Sequence, residues 1–163
     1  MKTILGHRIV TLSDKKLIGN KIKLSYANNR THELWKSFIP RRKEIKNVDS
    51  NLFSLQIYPP DFFRNFNPGT EFEKWALVEV VDFTSLPDGM ETYDLKSGLY
   101  VVFDYKGDQT AAQATFQYIF SEWLPKSGFE LDDRPHFEIL GTKYKTGDPN
   151  SEEEIWIPVR KKS

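Results

Sequence analysis

A single carboxylate stands between two large apolar residues in the last third of the chain. Glu138 lies between Phe137 and Ile139 in HFEIL, residues 136–140, and on an extended strand it points to the opposite face from both neighbours. If the Phe137 face is packed against helices, Glu138 points to the concave side. A carboxylate among apolar groups is costly to keep charged, so it raises its pKa or binds a cation. The pattern therefore predicts a site for an organic cation anchored by Glu138.

Two structural explanations compete with this one. Glu138 fits equally well on the solvent face of an edge strand, or in an ion pair with Arg134 or Lys143, because strand glutamates are usually exposed. Among the other acids, Glu154 is the one expected to join Glu138 near a cleft, since alternation places it on the same strand face as Trp156. The remaining acidic runs read as solvated approaches to strands.

Aromatic residues make up 14% of the chain, with 12 Phe, 7 Tyr and 4 Trp. Such side chains dominate both protein cores and apolar ligand pockets, and their faces attract cations by about 0.5–2 kcal/mol per ring. Strand alternation and helix position select five of them as candidate lining residues, although packing in the core or on the surface is the commoner use of the four on strands: Tyr58, Trp75, Tyr100, Tyr118 and Trp156. A Phe-rich loop, FFRNF at 62–66, is either a lid over the cleft or a loop anchored by its own side chains.

Several other chemistries lack the residues they need. The chain has no cysteine, so disulfides, thiolate catalysis and Cys-based metal sites are excluded. Its three histidines are far apart, and it has neither a phosphate-binding glycine loop nor a dinucleotide fingerprint. We expect no metal and no cofactor. The 23 basic and 23 acidic residues balance, which gives no reason to expect a nucleic-acid surface. Without an apolar run of signal-peptide or membrane-span length, a cytoplasmic protein is predicted.

The elements that must position these residues occur twice. Predicted strands cover 21–27, 52–58, 74–81, 99–105, 136–140 and 154–159, and helices end near Pro40 and Pro125. The order strand, helix, strand, strand is thus repeated, and one such half is too small to bury its own apolar face. We predict an α+β fold, with an antiparallel concave sheet and two main helices, in which half-repeats of about 1–88 and 89–163 pair around a pseudo-twofold axis within one domain, 1–163.

The two helix ends also agree in sequence. Trp35-x-x-Phe38-Ile39-Pro40 corresponds to Phe120-x-x-Trp123-Leu124-Pro125, at an offset of 85 residues. In the strands that follow, Phe53 corresponds to Phe137. Seams between repeated halves are places where small-molecule clefts tend to lie.

An ordered series of motifs in the second half is more specific than any single one. The series is Trp123-Leu124-Pro125-x-Ser127-Gly128, Arg134-Pro135-x-Phe137-Glu138, Asp148-Pro149 and Glu153-Glu154-Ile155-Trp156-Ile157-Pro158. It resembles the GyrI-like small-molecule-binding domain, also called the AraC-type effector-binding domain. The likeness covers most of the chain and includes Leu34-Trp35 and Gly89-Met90-Glu91.

The resemblance implies a cleft that binds drug-like, often cationic and lipophilic, molecules. It also implies that Glu138, which matches a family glutamate on the strand after the second helix, meets the positive charge of the ligand. No helix-turn-helix segment precedes or follows the domain, so we expect a standalone effector sensor or sequestering protein, linked to transcription regulation or a multidrug response. Its expected partners are then a small molecule and a protein, either a transcription factor or gyrase, with no direct nucleic acid and no membrane.

Two alternatives from other classes stay open. The first is a hydrolase of reactive cyclopropane-bearing compounds, in which Glu138 handles a proton or positions water. The second is a protein-interaction module that inhibits gyrase. A receptor returns its ligand unchanged, whereas a hydrolase yields a ring-opened product.

Overall fold

The computed structural model describes residues 4–163, with the side chains at 109 and 110 excepted; residues 1–3 of the predicted domain lie outside this description. The strands are β1 (Ile4–Leu12), β2 (Lys15–Leu24), β3 (Leu52–Ile57), β4 (Phe72–Val80), β5 (Glu91–Leu95), β6 (Gly98–Lys106), β7 (Phe129–Leu131), β8 (His136–Leu140) and β9 (Glu152–Lys161). The helices are α1 (Thr31–Phe38), which continues as a 3₁₀ segment (Ile39–Glu44), α2 (Gln109–Tyr118), which continues as a π-helical turn (Ile119–Trp123), and α3 (Leu124–Lys126). None of the helices in this described part is both long and apolar enough to cross a membrane.

The strands form one antiparallel sheet in the order β1-β6-β9-β8-β3-β4-β2-β5, and β7 pairs with β9 outside this path. Read from the centre, β8-β9-β6 of the second half mirrors β3-β4-β2 of the first half. This order confirms the predicted α+β fold with a duplicated unit. Each half also begins with a strand that the sequence patterns did not indicate, β1 in the first half and β5 in the second.

The two additional strands exchange places between the halves. Only Ser13 and Asp14 separate β1 from β2, yet β1 pairs with β6 at one end of the sheet and β2 pairs with β5 at the other. The link between β5 and β6 is equally short, and its Ser97 N–H donates to Asp14 Oδ1 over 2.7 Å. Because the two short links touch, the sheet must curl until its ends meet.

The curl encloses one apolar core, on the Phe137 face of the sheet. Phe137 stacks on Trp156 with ring centroids 5.1 Å apart and packs against Phe53 and Tyr100. Leu12, Leu17 and Leu95, from the strands at the two ends of the sheet, belong to the same core. The sheet itself therefore covers this face.

The helices pack on the opposite face. In the first half, Leu34 and Phe38 of the α1 segment pack against β2 and β4. In the second half, Ile119 and Leu124 pack against Val101, Phe103 and Ile155 of β6 and β9. Glu138 is the register partner of Ile155, so it lies on this helix-covered face. The argument from the sequence assumed that helices cover the Phe137 face. The curled sheet covers that face instead.

Pro125 explains the π-helical turn before it. A proline ring clashes with the carbonyl four residues earlier and offers no N–H to it. The wider turn relieves this conflict, since the Leu124 N–H reaches back five residues to the Ile119 carbonyl. The helical path therefore runs through Pro125 to Lys126, one residue beyond its predicted end. Pro40 acts differently, because α1 ends at Phe38 and the chain continues as a 3₁₀ segment.

Candidate ligand-binding site

A strip of polar side chains lies between the two helices on the helix-covered face. We call this strip the seam. Its charged and amide residues are Gln56 on β3, Lys74 on β4, Glu138 on β8 and Glu153 on β9. Ser54 and Glu138 are register partners across β3 and β8, and they are also equivalent positions in the repeat, as Phe53 and Phe137 are. The pseudo-twofold axis therefore passes between Ser54 and Glu138.

Gln56 links the charges of Lys74 and Glu138. In the amide orientation that satisfies both neighbours, Gln56 Nε2 donates to Glu138 Oε2 over 3.0 Å, and Gln56 Oε1 accepts from Lys74 Nζ over 3.2 Å. Burial raises the pKa of Glu138, while Lys74 and Gln56 act in the opposite direction. Burial lowers the pKa of Lys74, and the two seam carboxyls oppose that change. The lysine is therefore a counter-ion for Glu138 that the chain itself supplies.

Glu153 is a second carboxyl in the seam. Burial, together with the negative charge of Glu138, raises its pKa to about 8, and Lys74 offsets this only in part. Within the part of the chain that the structure describes, no hydrogen bond or ion pair to this carboxyl is formed. The sequence favoured Glu154 for this position. Glu154 instead lies on the other face, where it accepts from Trp156 Nε1 over 3.0 Å and pairs with Arg8 at 2.8 Å.

An aromatic cover closes one end of the seam. Phe63, from the loop 58–71, lies against Phe120 of the π-helical turn, with ring centroids 4.9 Å apart. It also lies 4.8 Å from the Tyr58 ring and 5.4 Å from the His136 ring. His136 is on the same strand and face as Glu138. The cover therefore lies beside His136, the neighbour of Glu138 on this face of β8.

The residues around the cover stay neutral near pH 7. Burial lowers the pKa of His136 to about 3, with a smaller contribution from the positive charge of Arg134. Burial also raises the pKa of Tyr58 well above its ordinary value, and the neighbouring hydroxyl of Tyr26 adds to the effect. Tyr26 and Phe66 mark the outer edge of the cover, where each is about half exposed. The cover is thus an uncharged aromatic surface beside a charged strip.

Of the aromatic residues predicted to line the cleft, the structure brings Tyr58 close to Glu138. The other three on strands are on the opposite face, in the core inside the curl: Trp75, Tyr100 and Trp156. Tyr100 donates to the Pro135 carbonyl over 2.8 Å, and Trp75 Nε1 donates to Glu73 Oε1 over 2.6 Å. Alternation selected these three residues on the assumption that helices cover the Phe137 face. Because the curled sheet covers that face instead, their placement does not support contact with a ligand at Glu138.

Tyr118 is also outside the seam. Its side chain is 46% exposed and lines a cavity of about 300 Å³ with Glu122, Trp123 and Lys126. A second cavity, of about 350 Å³, lies beside α1 and is lined by residues that include Asn20, Glu33 and Glu91. Neither cavity contains Glu138 or another charged residue of the seam. Cavity size therefore does not locate the charged residues of the seam. The partly buried charges indicate the candidate site better than cavity size does.

The sequence interpretation did not single out Lys74 or Gln56, and it assigned Glu153 to a solvated acidic run. Strand alternation gives a usable signal for two of them, since Ser54 and Gln56 alternate with Phe53 and Leu55, as Lys74 does with Trp75. A lysine in a strand is ordinarily assigned to solvent, which is why Lys74 drew no attention.

The seam brings together two partly buried carboxyls, one lysine and an aromatic cover. The model of the GyrI-like small-molecule-binding domain matches residues 7–160. The chain belongs to this family. As a GyrI-like domain it is a small-molecule-binding domain, which confirms the broad functional prediction made from its motifs.

Similar proteins differ in what they are known to do. The transcriptional regulator BrlR of Pseudomonas aeruginosa is 29% identical over 153 residues, which are 93% of this GyrI-like chain and 54% of BrlR. The chain thus spans about half the length of that relative. SAV2435 bound to tetraphenylphosphonium has a TM-score of 0.69 at 19% identity, over 96% of this chain and 94% of that one. A hydrolase from Listeria innocua has a TM-score of 0.61 at 10% identity, over 97% and 93%. The last two likenesses show the fold.

Proposed function

We propose that this GyrI-like domain binds a lipophilic monocation in the seam, with Glu138 as the charge partner. The observation that carries the proposal is the position of Glu138, which lies largely buried between the two helix-packed halves and beside the aromatic cover. A buried carboxylate gains most from a cation that brings little hydration of its own. A cation whose charge is shielded by apolar groups satisfies this condition.

The aromatic cover supports an apolar and shape-tolerant ligand. Rings of Tyr58, Phe63 and Phe120 present faces and edges that attract a cation without fixed hydrogen-bond geometry. Phe63 fills the space between Tyr58 and Phe120, so a ligand enters this end of the seam by displacing the Phe63 ring. The loop 58–71 is then the movable part of the site, as expected for a lid.

We infer that binding serves sensing or sequestration. The relative BrlR is a transcriptional regulator, and a domain of the same family within it fits a role in which ligand occupancy is reported to a partner. Closure of the cover over a ligand changes the exposed surface formed by Tyr26 and Phe66. A partner protein that binds this surface can distinguish the two states.

The proposal is tested with tetraphenylphosphonium, the cation bound by SAV2435. We expect the wild-type protein to bind this probe and Glu138→Gln to bind it at least tenfold more weakly, because the amide keeps the shape but removes the charge. The matched control is Glu154→Gln, a neighbouring acid on the opposite face, which leaves the affinity unchanged. Equal affinity of Glu138→Gln and the wild type would remove Glu138 as the anchor.

A hydrolase is the second candidate, favoured by the paired carboxyls. Gln56 donates to Glu138 and links it to Lys74, whereas Glu153 receives no hydrogen bond from the described residues and is offset by Lys74 only in part, so the two differ in their tendency to hold a proton. Such a difference is what divides base and acid roles between two carboxyls. Incubation of a cyclopropane-bearing electrophile with sub-stoichiometric protein distinguishes the two functions, since a hydrolase gives a ring-opened product in excess of protein and a receptor does not.

A further inference from the structure

Glu138 and Glu153 face the same space from neighbouring strands. Glu138 is the register partner of Ile155, and Glu153 is two residues from Ile155 on the same face of β9. Lys74 approaches from the other side through Gln56. The seam therefore holds two carboxyls and one ammonium group in a strip largely closed to water.

Two carboxyls in such a strip favour a state in which one of them holds a proton. When two carboxyls lie close together, ionisation of one raises the pKa of the other. Glu138 is the better candidate for the ionised member, because Gln56 donates to it and Lys74 balances its charge. Glu153 receives no such hydrogen bond from the described residues and is offset only in part by Lys74, so it is the member that holds the proton, in agreement with its pKa of about 8.

The other titratable side chains that face the seam are tyrosines and a histidine. Tyr58 and Tyr26 lie on the cover side, and the pKa of each is raised, that of Tyr58 well above its ordinary value. His136 lies next to Glu138, and its pKa is lowered to about 3. All three are therefore neutral near pH 7. Tyr105, the register partner of Glu153, has a raised pKa through burial and donates to the Asp108 carbonyl. The negative charge of Asp108 adds to the raised pKa of Tyr105, and the α1 segment contributes apolar Leu34 and Phe38.

We propose that Glu153 is a second cation-binding carboxylate, and that it releases its proton to solvent when a cation enters the seam. The step forms no covalent bond: the Glu153 carboxyl loses H⁺, and the ligand's positive charge takes its place. This inference rests on the proposed function, because it requires a cation in the seam.

The exchange keeps the seam electrically neutral in both states. Without ligand, Lys74 balances Glu138 and Glu153 is uncharged. With ligand, two carboxylates balance Lys74 and the bound cation. A buried strip is expected to favour such neutrality, since each unbalanced charge in a medium of low dielectric constant is costly. Lys74 thereby sets the stoichiometry at one ligand charge.

A pH dependence of affinity follows from the exchange. Protons compete with the ligand, so the affinity for a permanent cation rises with pH while Glu153 is mostly protonated, and levels off once it is ionised. Linkage gives a change of about tenfold per pH unit when one proton is released. Because the pKa of Glu153 is about 8, the affinity should rise almost tenfold between pH 6 and pH 7 and become flat above about pH 9.

Titration calorimetry with tetraphenylphosphonium tests the exchange, because this probe carries no proton of its own. We expect the wild type at pH 7 to release close to one proton per bound cation, measured from the heats in two buffers of different ionisation enthalpy. Glu153→Gln should bind without proton release and with an affinity that is flat between pH 6 and pH 8. Glu153→Asp should restore the release, and the control Glu154→Gln should behave as the wild type.

Each contrary result has a distinct meaning. Binding by the wild type without proton release, or undiminished release by Glu153→Gln, overturns the exchange and leaves the cation site intact. Absence of any binding by the wild type overturns the proposed function and this inference with it. The proton count of the wild type needs no variant, so a failure of Glu153→Gln to fold does not obscure the result.

Discussion

The ring of Phe63 stacks on the ring of Phe120, with 4.9 Å between their centroids and 21° between their planes. Phe63 comes from the loop that follows β3 in the first half, and Phe120 comes from the π-helical turn in the second half. The contact therefore joins the two halves above the polar seam. Under the proposed function, Phe63 is the residue whose movement opens or closes the site.

Phe63→Ala should loosen the loop 58–71. Loss of the ring removes contacts with Tyr58, Phe120 and His136, and we expect the free energy of unfolding to fall by about 1–3 kcal/mol, since the ring is partly buried. Urea unfolding measures this change. Limited proteolysis should cleave the loop faster in the variant.

The control for this variant is Phe66→Ala. Phe66 is in the same loop but 52% exposed, so its removal should change stability by less than about 1 kcal/mol. In the wild type, tetraphenylphosphonium should slow cleavage of the loop. Equal cleavage rates with and without the probe would count against a lid.

His136 should make the folded protein sensitive to acid. Its folded pKa of about 3 lies far below the ordinary 6.5, so below pH 6.5 the unfolded chain binds a proton that the folded protein does not. Its contribution to stability is therefore present above pH 6.5 and is lost as the pH falls towards 3, by about 1.4 kcal/mol per pH unit at most. Urea unfolding of the wild type and His136→Asn at pH 7, 6, 5 and 4 should show a shallower decline in the variant.

His32→Asn, on the exposed surface of α1, is the matched control for this series. The acid-dependent decline should persist in it as in the wild type. A decline of the same steepness in His136→Asn would assign the acid sensitivity to other groups.

Arg134→Lys should be a costly change despite the conserved charge. Arg134 Nη2 donates to the carbonyls of Leu99 and Val159, Nε donates to Asp132 over 2.7 Å, and the guanidinium lies 4.8 Å from the centre of the Tyr100 ring. An ammonium group cannot reproduce this planar set of contacts. We expect a loss of about 2–4 kcal/mol in the free energy of unfolding, measured in urea.

The comparison for Arg134 is Arg160→Lys. Arg160 pairs with Glu130 and Asp132 on the exposed surface, and such pairs contribute less than about 1 kcal/mol. Similar losses for the two variants would contradict a special role for the Arg134 guanidinium.

The repeat and the placement of Glu138 on the face opposite Phe137 were predictable because each leaves a local signal. The helix-end motif around Trp35 recurs around Phe120, and alternation alone separates Glu138 from Phe137. The edge strands β1 and β5 were not predictable in this way. Each closely precedes β2 or β6 in sequence but pairs with a strand of the other half, so local patterns carry no sign of the exchange.

The identity of the covered face was not accessible from the sequence. Both faces of the sheet bear large apolar residues, and alternation says which residues share a face without saying what covers it. The assignment of the second acid failed for a related reason. Glu153 and Glu154 are adjacent, so the choice of face alone decides which one enters the seam and which one meets Arg8.

The axis that relates the two halves passes between Ser54 and Glu138, and this gives the site a direction. Under the proposed function, a ligand centred there meets the same backbone on both sides, but the hydroxyl of Ser54 on one side and the carboxyl of Glu138 on the other. At this pair of positions a symmetric ligand meets only one carboxyl, Glu138, despite its symmetry. An asymmetric ligand has a single preferred orientation. Duplication supplied the frame of the site, and divergence at one pair of positions supplied its polarity.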